Sequence, residues 1–312
     1  MLETTIDGNE PDWLMADFDG ERVALGLARP SGLPVVHSVR TYRSDDFATA
    51  TDCLMGYAAE LGIDLKGRRA AIVVAGAVGD DVVRLARTRW TLSIHGFGFL
   101  LGHRPFVIST GVAKSWSNLD HSSATHSLLS GVGTIDFGVT GKWTSIKYQG
   151  GLTASMLRRF DDGNLRAMES ECGHVGFSPR GALQRELADA LARSNPRVTP
   201  ERMLFVAVDD PVWDGLSQQT TRAGREAVRA DMLGAFVGDV VLHFASWSGV
   251  FLNGDQFQFL VKAENRAAFD KAFEDKGHFR PNIRAVPRWI VKGEQNNLPG
   301  AARMLASRLM PG

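Results

Sequence analysis

Short apolar runs with β-like spacing open the 312-residue chain, and longer helical patterns follow them. "DWLMADFDGERVALGLA" carries two apolar runs around "DFDGE" and predicts a β-hairpin that turns between Asp17 and Gly20. "PVVHSVRTYR" predicts a third strand. From Asp46 to Leu61, apolar Phe47, Leu54, Met55, Ala58 and Leu61 recur at helical intervals, so a helix follows. "RRAAIVVAG" is nearly continuous in its apolar character, as in a strand buried on both faces of a sheet. A mixed sheet flanked by helices is the consequence.

"RPFVIST" and Gly111 close this first unit, and "WSNLDHSSATHS" reads as a polar connector, which puts a boundary near residue 115. The theme then repeats. "SLLSGVGTIDFGVTG", "KWTSIKYQGG" and "ERMLFVAV" predict strands with a Gly-rich turn, while "RGALQRELADALARS" places Leu183, Leu187 and Leu191 on one helical stripe. Thr220 to Ala245 is the longest helical pattern, polar at first and apolar by "AFVGDVVLHFA". "SGVFLNGD" resumes a strand. "ENRAAFDKAFEDKG" is an amphipathic helix with Phe269 and Phe273 four apart and Gly277 as its stop. "VPRWIVKG" and "NLPGAARMLASRLM" give the last strand and the last helix. The halves share a strand, strand, Gly-turn, helix order, a sign of a duplicated fold without a solenoid repeat.

The length favours two domains over one. Thirty-five basic residues balance thirty-five acidic ones, so charge offers nothing to nucleic acid or an anionic membrane, and a small or neutral partner is expected. Two distant cysteines, Cys53 and Cys172, and an opening without a basic, apolar leader predict a cytoplasmic protein. The apolar stretch from Met232 to Ala245 is interrupted by Asp239 and His243 and is too short to span a membrane.

"ESECGHVGFSP", from Glu169 to Pro179, sets an acid, a thiol and an imidazole beside a glycine. Four readings are open. A zinc site on Glu171, Cys172 and His174 lacks a fourth ligand at suitable spacing, so no metal is expected. A Cys172 nucleophile would need His174, two residues away, to meet it with a third orienting group. A core cysteine in a capped turn is the plain reading. A polar binding loop is the fourth: carboxylates accept and imidazole can donate, which suits a polyhydroxylated ligand, and Gly173 allows close backbone approach.

Several segments together resemble the bacterial glucokinases of the hexokinase and actin-like sugar kinase superfamily. "ESECGHVGFSP" is similar to that family's sugar loop, Gly-Glu-x-Gly-His-x-x-Phe-x-Pro, with Ser170 at the first glycine. "FEDKGHF", "VGDDVVRLARTRWTLS" and "PERML" resemble further family segments, in register from about Trp13 to Leu305. The resemblance implies an α/β, two-lobed actin-like ATPase (ribonuclease H-like) fold with mixed sheets flanked by helices. It places a small lobe at residues 1–115, a large lobe at 116–296, and a C-terminal helix, 297–312, returning to the small lobe. It also implies ATP-dependent 6-phosphorylation of glucose or a related hexose, with MgATP as cosubstrate, no nucleic-acid or membrane partner, and pairing as a homodimer. Glu171, His174 and Glu201 fall on the sugar-contacting positions; on its own, an acid after Thr-Pro is simply a good first-turn residue.

Where the family carries an Asn-Asp pair that binds sugar and supplies the catalytic base, this chain has Ser109 and Thr110. A threonine hydroxyl is no base near neutral pH, and loss of a positioned base costs about a hundred- to ten-thousand-fold. The first phosphate loop keeps Asp17 and Gly20 but gains Asp19 and Glu21; each carboxylate near a phosphate, at about 4 Å, costs on the order of several kcal/mol. The second keeps Gly131, Gly133 and Thr134 but puts Ile135 where positive φ is expected. The adenosine segment keeps Gly254, while Ala245, Ser248 and Asp255 fill glycine positions and are expected to block nucleotide approach. Three functions follow: a sugar-binding or regulatory pseudokinase, an active glucokinase with another base such as Asp19 or Asp136, and a structural or interaction protein. Arg87, at a position where the family carries asparagine before Trp90, favours the last.

Overall fold

In the computed structural model, which describes residues 10–309 apart from 77, 78, 80, 86, 87, 149, 218, 219 and 294–296, the chain divides into two units. One comprises Met1–Asp120 with Gln295–Gly312, the other His121–Glu294. Arg87 lies outside the described residues.

The first unit opens with the expected hairpin, β1 (Trp13–Asp19) and β2 (Arg22–Ala28), with Asp19 opposite Arg22 and Gly20 at φ 71° in the turn. β3 (Val36–Arg43) extends it antiparallel. The following helix, α1 (Ala50–Leu61), starts later than its apolar spacing suggested. Thr49 closes a capping box with Asp52 and so fixes the start, while Asp46 belongs to a preceding 3-10 turn. β4 (Ala70–Val74) is buried at every position and pairs parallel with β1.

A small hairpin of β5 (Val82–Arg84) and β6 (Thr91–Ser93) leads into α2 (Ile94–Leu101), and β7 (Phe106–Ser109) completes the sheet parallel to β4. The sheet order is β3-β2-β1-β4-β7. Trp116 and Ser117, read as connector, belong to α3 (Thr110–Ser117), so a division after residue 115 falls inside this helix. The register explains why β1 and β4 look apolar throughout. Leu14, Ala16, Phe18, Ile72 and Val74 face α1, Trp90 and Phe97, while Trp13, Met15, Ala71 and Val73 face α3 and the C-terminal helix Leu298–Leu309.

The second unit repeats this sheet order. β8 (His126–Ser130) leads through the Gly-rich turn to β9 (Gly141–Lys147), β10 (Thr153–Arg159) and β11 (Leu165–Ser170). The helices α4 (Ala182–Ala192), α5 (Pro200–Leu204) and α6 (Arg222–Phe244) follow, then β12 (Gly249–Asn253), α7 (Ala263–Glu274), α8 (Arg280–Ala285) and β13 (Arg288–Val291). The order β11-β10-β9-β12-β13-β8 contains the same three antiparallel strands and two parallel crossovers, with β8 added at the edge. "ERMLFVAV" is not a strand: the Thr199 hydroxyl accepts from Arg202 N and Pro200 takes the first helical position, so helix α5 begins there.

Glycines set how closely helices approach. On α6, a Cβ at Gly234 would lie 2.1 Å from Phe269 O, and one at Gly238 2.7 Å from Phe273 O, so α7 packs backbone to backbone on a two-glycine stripe. In the first unit, a Cβ at Gly300 would lie 1.9 Å from Ala113 O. The Gly300 amide there donates to Ser117 Oγ at 3.2 Å. α6 ends at Ala245, which adopts φ 50°, ψ 49° as its left-handed cap.

Gly300→Ala and Gly234→Ala should each lower unfolding free energy by about 2 kcal/mol or more, because the neighbouring backbone must move. Gly176→Ala, where an added Cβ meets nothing within 4 Å, should change it little. Ala245→Gly should stabilise by about 0.5–1 kcal/mol, the left-handed strain relieved exceeding the flexibility gained by the unfolded chain. Urea denaturation of the four proteins beside the parent checks all three expectations.

Candidate functional site

In the second unit, β11 ends at Ser170 and the chain turns through Glu171 into a 3-10 turn, Cys172–His174. The His174 amide donates to Glu171 O at 2.9 Å. Gly173 fits because it lacks a side chain: a Cβ there would lie 2.0 Å from Leu152 O. The Leu152 amide in turn donates to Glu201 Oε2 at 2.7 Å. One residue, Leu152, thus seats the loop with its carbonyl and the Glu201 carboxylate with its amide.

Glu201 stands in the first turn of α5. Arg202 fixes that helix by donating to the carbonyl of Leu191 (2.8 Å) at the end of α4 and to those of Asn195 (2.7 Å) and Arg197 (2.5 Å) in the segment that follows. Arg197 holds the loop from its other side, through a 2.8 Å bond to His174 O. The result is an imidazole between two acids. His174 Nε2 lies 3.8 Å from Glu171 Oε2 and 3.9 Å from Glu201 Oε2. These gaps exceed a hydrogen bond, and the side chains of Glu171 and His174 are more than half exposed. The cluster presents acceptors and one switchable donor to solvent, the set that a vicinal polyol needs.

Cys172 points away from this chemistry. It packs against the unit's hydrophobic core, and burial pushes its thiol up to about 11, so it stays protonated and is no nucleophile at neutral pH. Among the described residues, no group of three His, Cys, Asp or Glu side chains is arranged to hold a metal ion.

The glycine-rich positions keep glycine geometry. Gly131 (φ 84°) lies where a Cβ would be 2.3 Å from Val286 O, and Gly133 (φ 144°) rests on Pro287. Ile135, expected to need positive φ, does not adopt it; among the described residues Ser38 and Ala245 are the non-glycines that do. Thr134 is exposed. Asp136 accepts from Gly138 N at 2.7 Å in a local turn. Gly254, at φ 120°, donates to Val291 O at 3.0 Å, and Asp255 accepts from Gly293 N at 2.9 Å. Ser248 pairs with Lys142 in both directions at 3.1 Å, in the space left by Gly141. Ser248 and Asp255 are therefore built into the protein's own backbone bonding.

In the first unit, Ser109 ends β7 and caps α3, its hydroxyl accepting from Val112 N at 3.3 Å. Thr110 is the first residue of that helix and is buried. Asp17 is buried too, and its Oδ2 accepts from both the amide (3.1 Å) and the side-chain nitrogen (3.0 Å) of Asn297. Sequence reasoning missed this lock on the C-terminal helix. The available signal was Asn-Leu-Pro at 297–299, a capping residue with proline just inside the helix.

Comparison with known proteins supplies the rest. The model of the glucokinase family matches residues 14–108 and 215–308, which leaves the polar loop between the matched segments. Glucokinase of Xylella fastidiosa (strain 9a5c) is 26% identical over 333 residues and 93% of each chain. The crystal structure of a glucokinase from an Antarctic psychrotroph superposes with a TM-score of 0.75 at 20% identity, covering 94% of this chain and 98% of that one. A glucokinase of the ROK family from Streptomyces griseus, in complex with glucose and AMPPNP, gives a TM-score of 0.56 at 18% identity, covering 94% and 99%. The α/β architecture, with its repeated mixed sheet, is the actin-like ATPase fold of sugar kinases. The match over the two segments and the near full-length likeness to the Xylella enzyme place the chain, and it belongs to the glucokinase family.

Proposed function

We propose that this chain binds glucose or a related hexose through Glu171, His174 and Glu201, and that its phosphoryl transfer to the 6-hydroxyl is impaired. The reading is carried by one observation. The acid–imidazole–acid cluster is assembled on a glycine-built loop and open to solvent, whereas the base position holds the neutral Thr110. Two carboxylates accept from neighbouring hydroxyls while His174 donates or accepts, so the cluster matches a ring that carries several hydroxyls of both characters.

For MgATP the fit is poor. A triphosphate needs backbone amides and cations around it. Here Glu21 stands exposed in the β1–β2 turn and the Asp17 carboxylate is taken up by Asn297. Asp255 and Ser248 occupy glycine positions and are tied to Gly293 and Lys142. A sugar sensor, or a regulatory partner of another subunit, is the role that follows.

A second reading is favoured by the backbone. Gly131, Gly133 and Gly254 keep φ values open mainly to glycine, and Ala245 holds a left-handed conformation that glycine favours. An active kinase with another base would use that retained backbone. Asp19 and Asp136 are then the first residues to substitute.

Titration calorimetry with glucose, then MgATP, followed by a coupled assay for ADP, separates these readings. The expected result is saturable glucose heat with no nucleotide heat and no sugar-dependent ADP. Glucose-dependent ADP release that Glu171→Ala abolishes would establish the active kinase instead, and an absence of glucose heat would remove the sugar-binding role. Glu171→Gln and Glu201→Gln should each weaken glucose at least tenfold, as expected for loss of a charge-assisted hydrogen bond. Glu201→Gln should also lower stability, because its carboxylate holds the Leu152 amide.

A further inference from the structure

The first unit contains a cavity of about 430 Å³ that the reading above leaves unused. It lies where β4 and β7 begin, between the loop after α2 and the last turn of the C-terminal helix. Arg69, His103, Arg104 and Arg308 line it, with Phe106 and Leu305 among its apolar walls. Ser109 ends the same strand that Phe106 begins. At about 3.3 Å per residue the cavity is about 10 Å along β7 from Ser109, at the opposite end of the strand.

The charge in this cavity is unbalanced. Arg69 pairs with Glu10 at 2.9 Å. Arg104 and Arg308 have no carboxylate partner among the described residues. The Arg308 guanidinium lies 4.4 Å over the Phe106 ring, which orients its fork without using its hydrogen-bond donors. Asp81, on an adjoining cavity that shares His103 and Arg104, already accepts from the His95 amide (2.6 Å) and the Ser93 hydroxyl (3.1 Å) at the start of α2. His103 Nε2 is out of solvent and has no hydrogen-bond partner among the described residues. Burial first and the Arg69 charge second hold this imidazole below its ordinary range, with Glu10 opposing them. An unsatisfied polar atom beside several guanidiniums is the signature of a place shaped for a missing acceptor.

We propose that this cavity is a binding site for a small, multiply charged oxyanion, a phosphorylated or polycarboxylated metabolite. Its volume is that of small-molecule sites, and the Arg104 and Arg308 forks match phosphate and carboxylate oxygens. Phe106 and Leu305 accommodate the uncharged part of the ligand. Because Arg308 comes from the C-terminal helix and Arg69 and Arg104 from the segments that enter β4 and β7, an occupant would tie that helix to the sheet.

The test is calorimetry and thermal unfolding of the full chain with pyrophosphate in one arm and citrate in the other, at constant ionic strength set with sodium chloride. At least one anion should bind saturably and raise the unfolding temperature, and the arm that responds identifies the class. Arg104→Gln with Arg308→Gln should weaken that anion at least tenfold and leave glucose heat unchanged. Arg104→Lys with Arg308→Lys should restore part of the affinity. The single variant Arg104→Gln, whose side chain makes no hydrogen bond or ion pair with the described residues, guards against loss of fold. No saturable binding of either anion, or equal binding by parent and double variant, overturns the proposal.

Discussion

The carbonyl of Leu152 lies against Gly173 so closely that no other residue fits, while the amide of the same residue holds Glu201. Through that one residue, the Glu171 carboxylate and His174 imidazole of the loop meet the sequence-distant Glu201 carboxylate without bonding to each other. Their freedom matters chemically. Acceptors already saturated by neighbours would have nothing to offer a polyol, and acceptors placed on mobile chain would lose affinity to ordering. The Arg202 clamp on carbonyls at and just after the end of α4 and the Arg197 bond to the loop keep both carriers in place.

The same device, close backbone approach at glycine, recurs through both units. Gly234 and Gly238 bring α6 onto α7, Gly300 brings the C-terminal helix onto α3, and Gly131 brings the Gly-rich turn onto Val286. Glycines in such sequences are easily taken for phosphate-binding signals. Here Gly131 is already required by packing. Ala245 shows that a left-handed helix cap is open to a residue with a Cβ, and Ser248 uses its hydroxyl as a stitch to Lys142.

The fold was legible wherever burial was two-sided or periodic. "AAIVV" is a central strand because both faces of the sheet are covered, and the stripe through α6 and the Phe269–Phe273 pair marked two helices that do pack together. Segments whose pattern is mixed escaped. β10 and β11 lie where polar and apolar residues alternate irregularly, and their exposed residues Arg158, Arg166 and Glu169 fall on both faces of the pair. α2 contains two glycines, which mask a helix that the Ser93 cap starts. "ERMLFVAV" was misread because its apolar run outweighed the Thr-Pro start before it.

By itself the sequence determined the two-sided buried strands, the long amphipathic helices, the duplicated plan, the balanced charge and the residue types in the polar loop, because these follow from local patterning and from motifs read in line. Tertiary structure decided which of those residues meet. His174 and Glu201 are brought within 3.9 Å by packing at Leu152, Asp17 is committed to a helix that begins at the far end of the chain, and three guanidiniums from three segments share one cavity. No linear pattern encodes such encounters, since they depend on sheet register and on where a missing side chain lets two backbones touch.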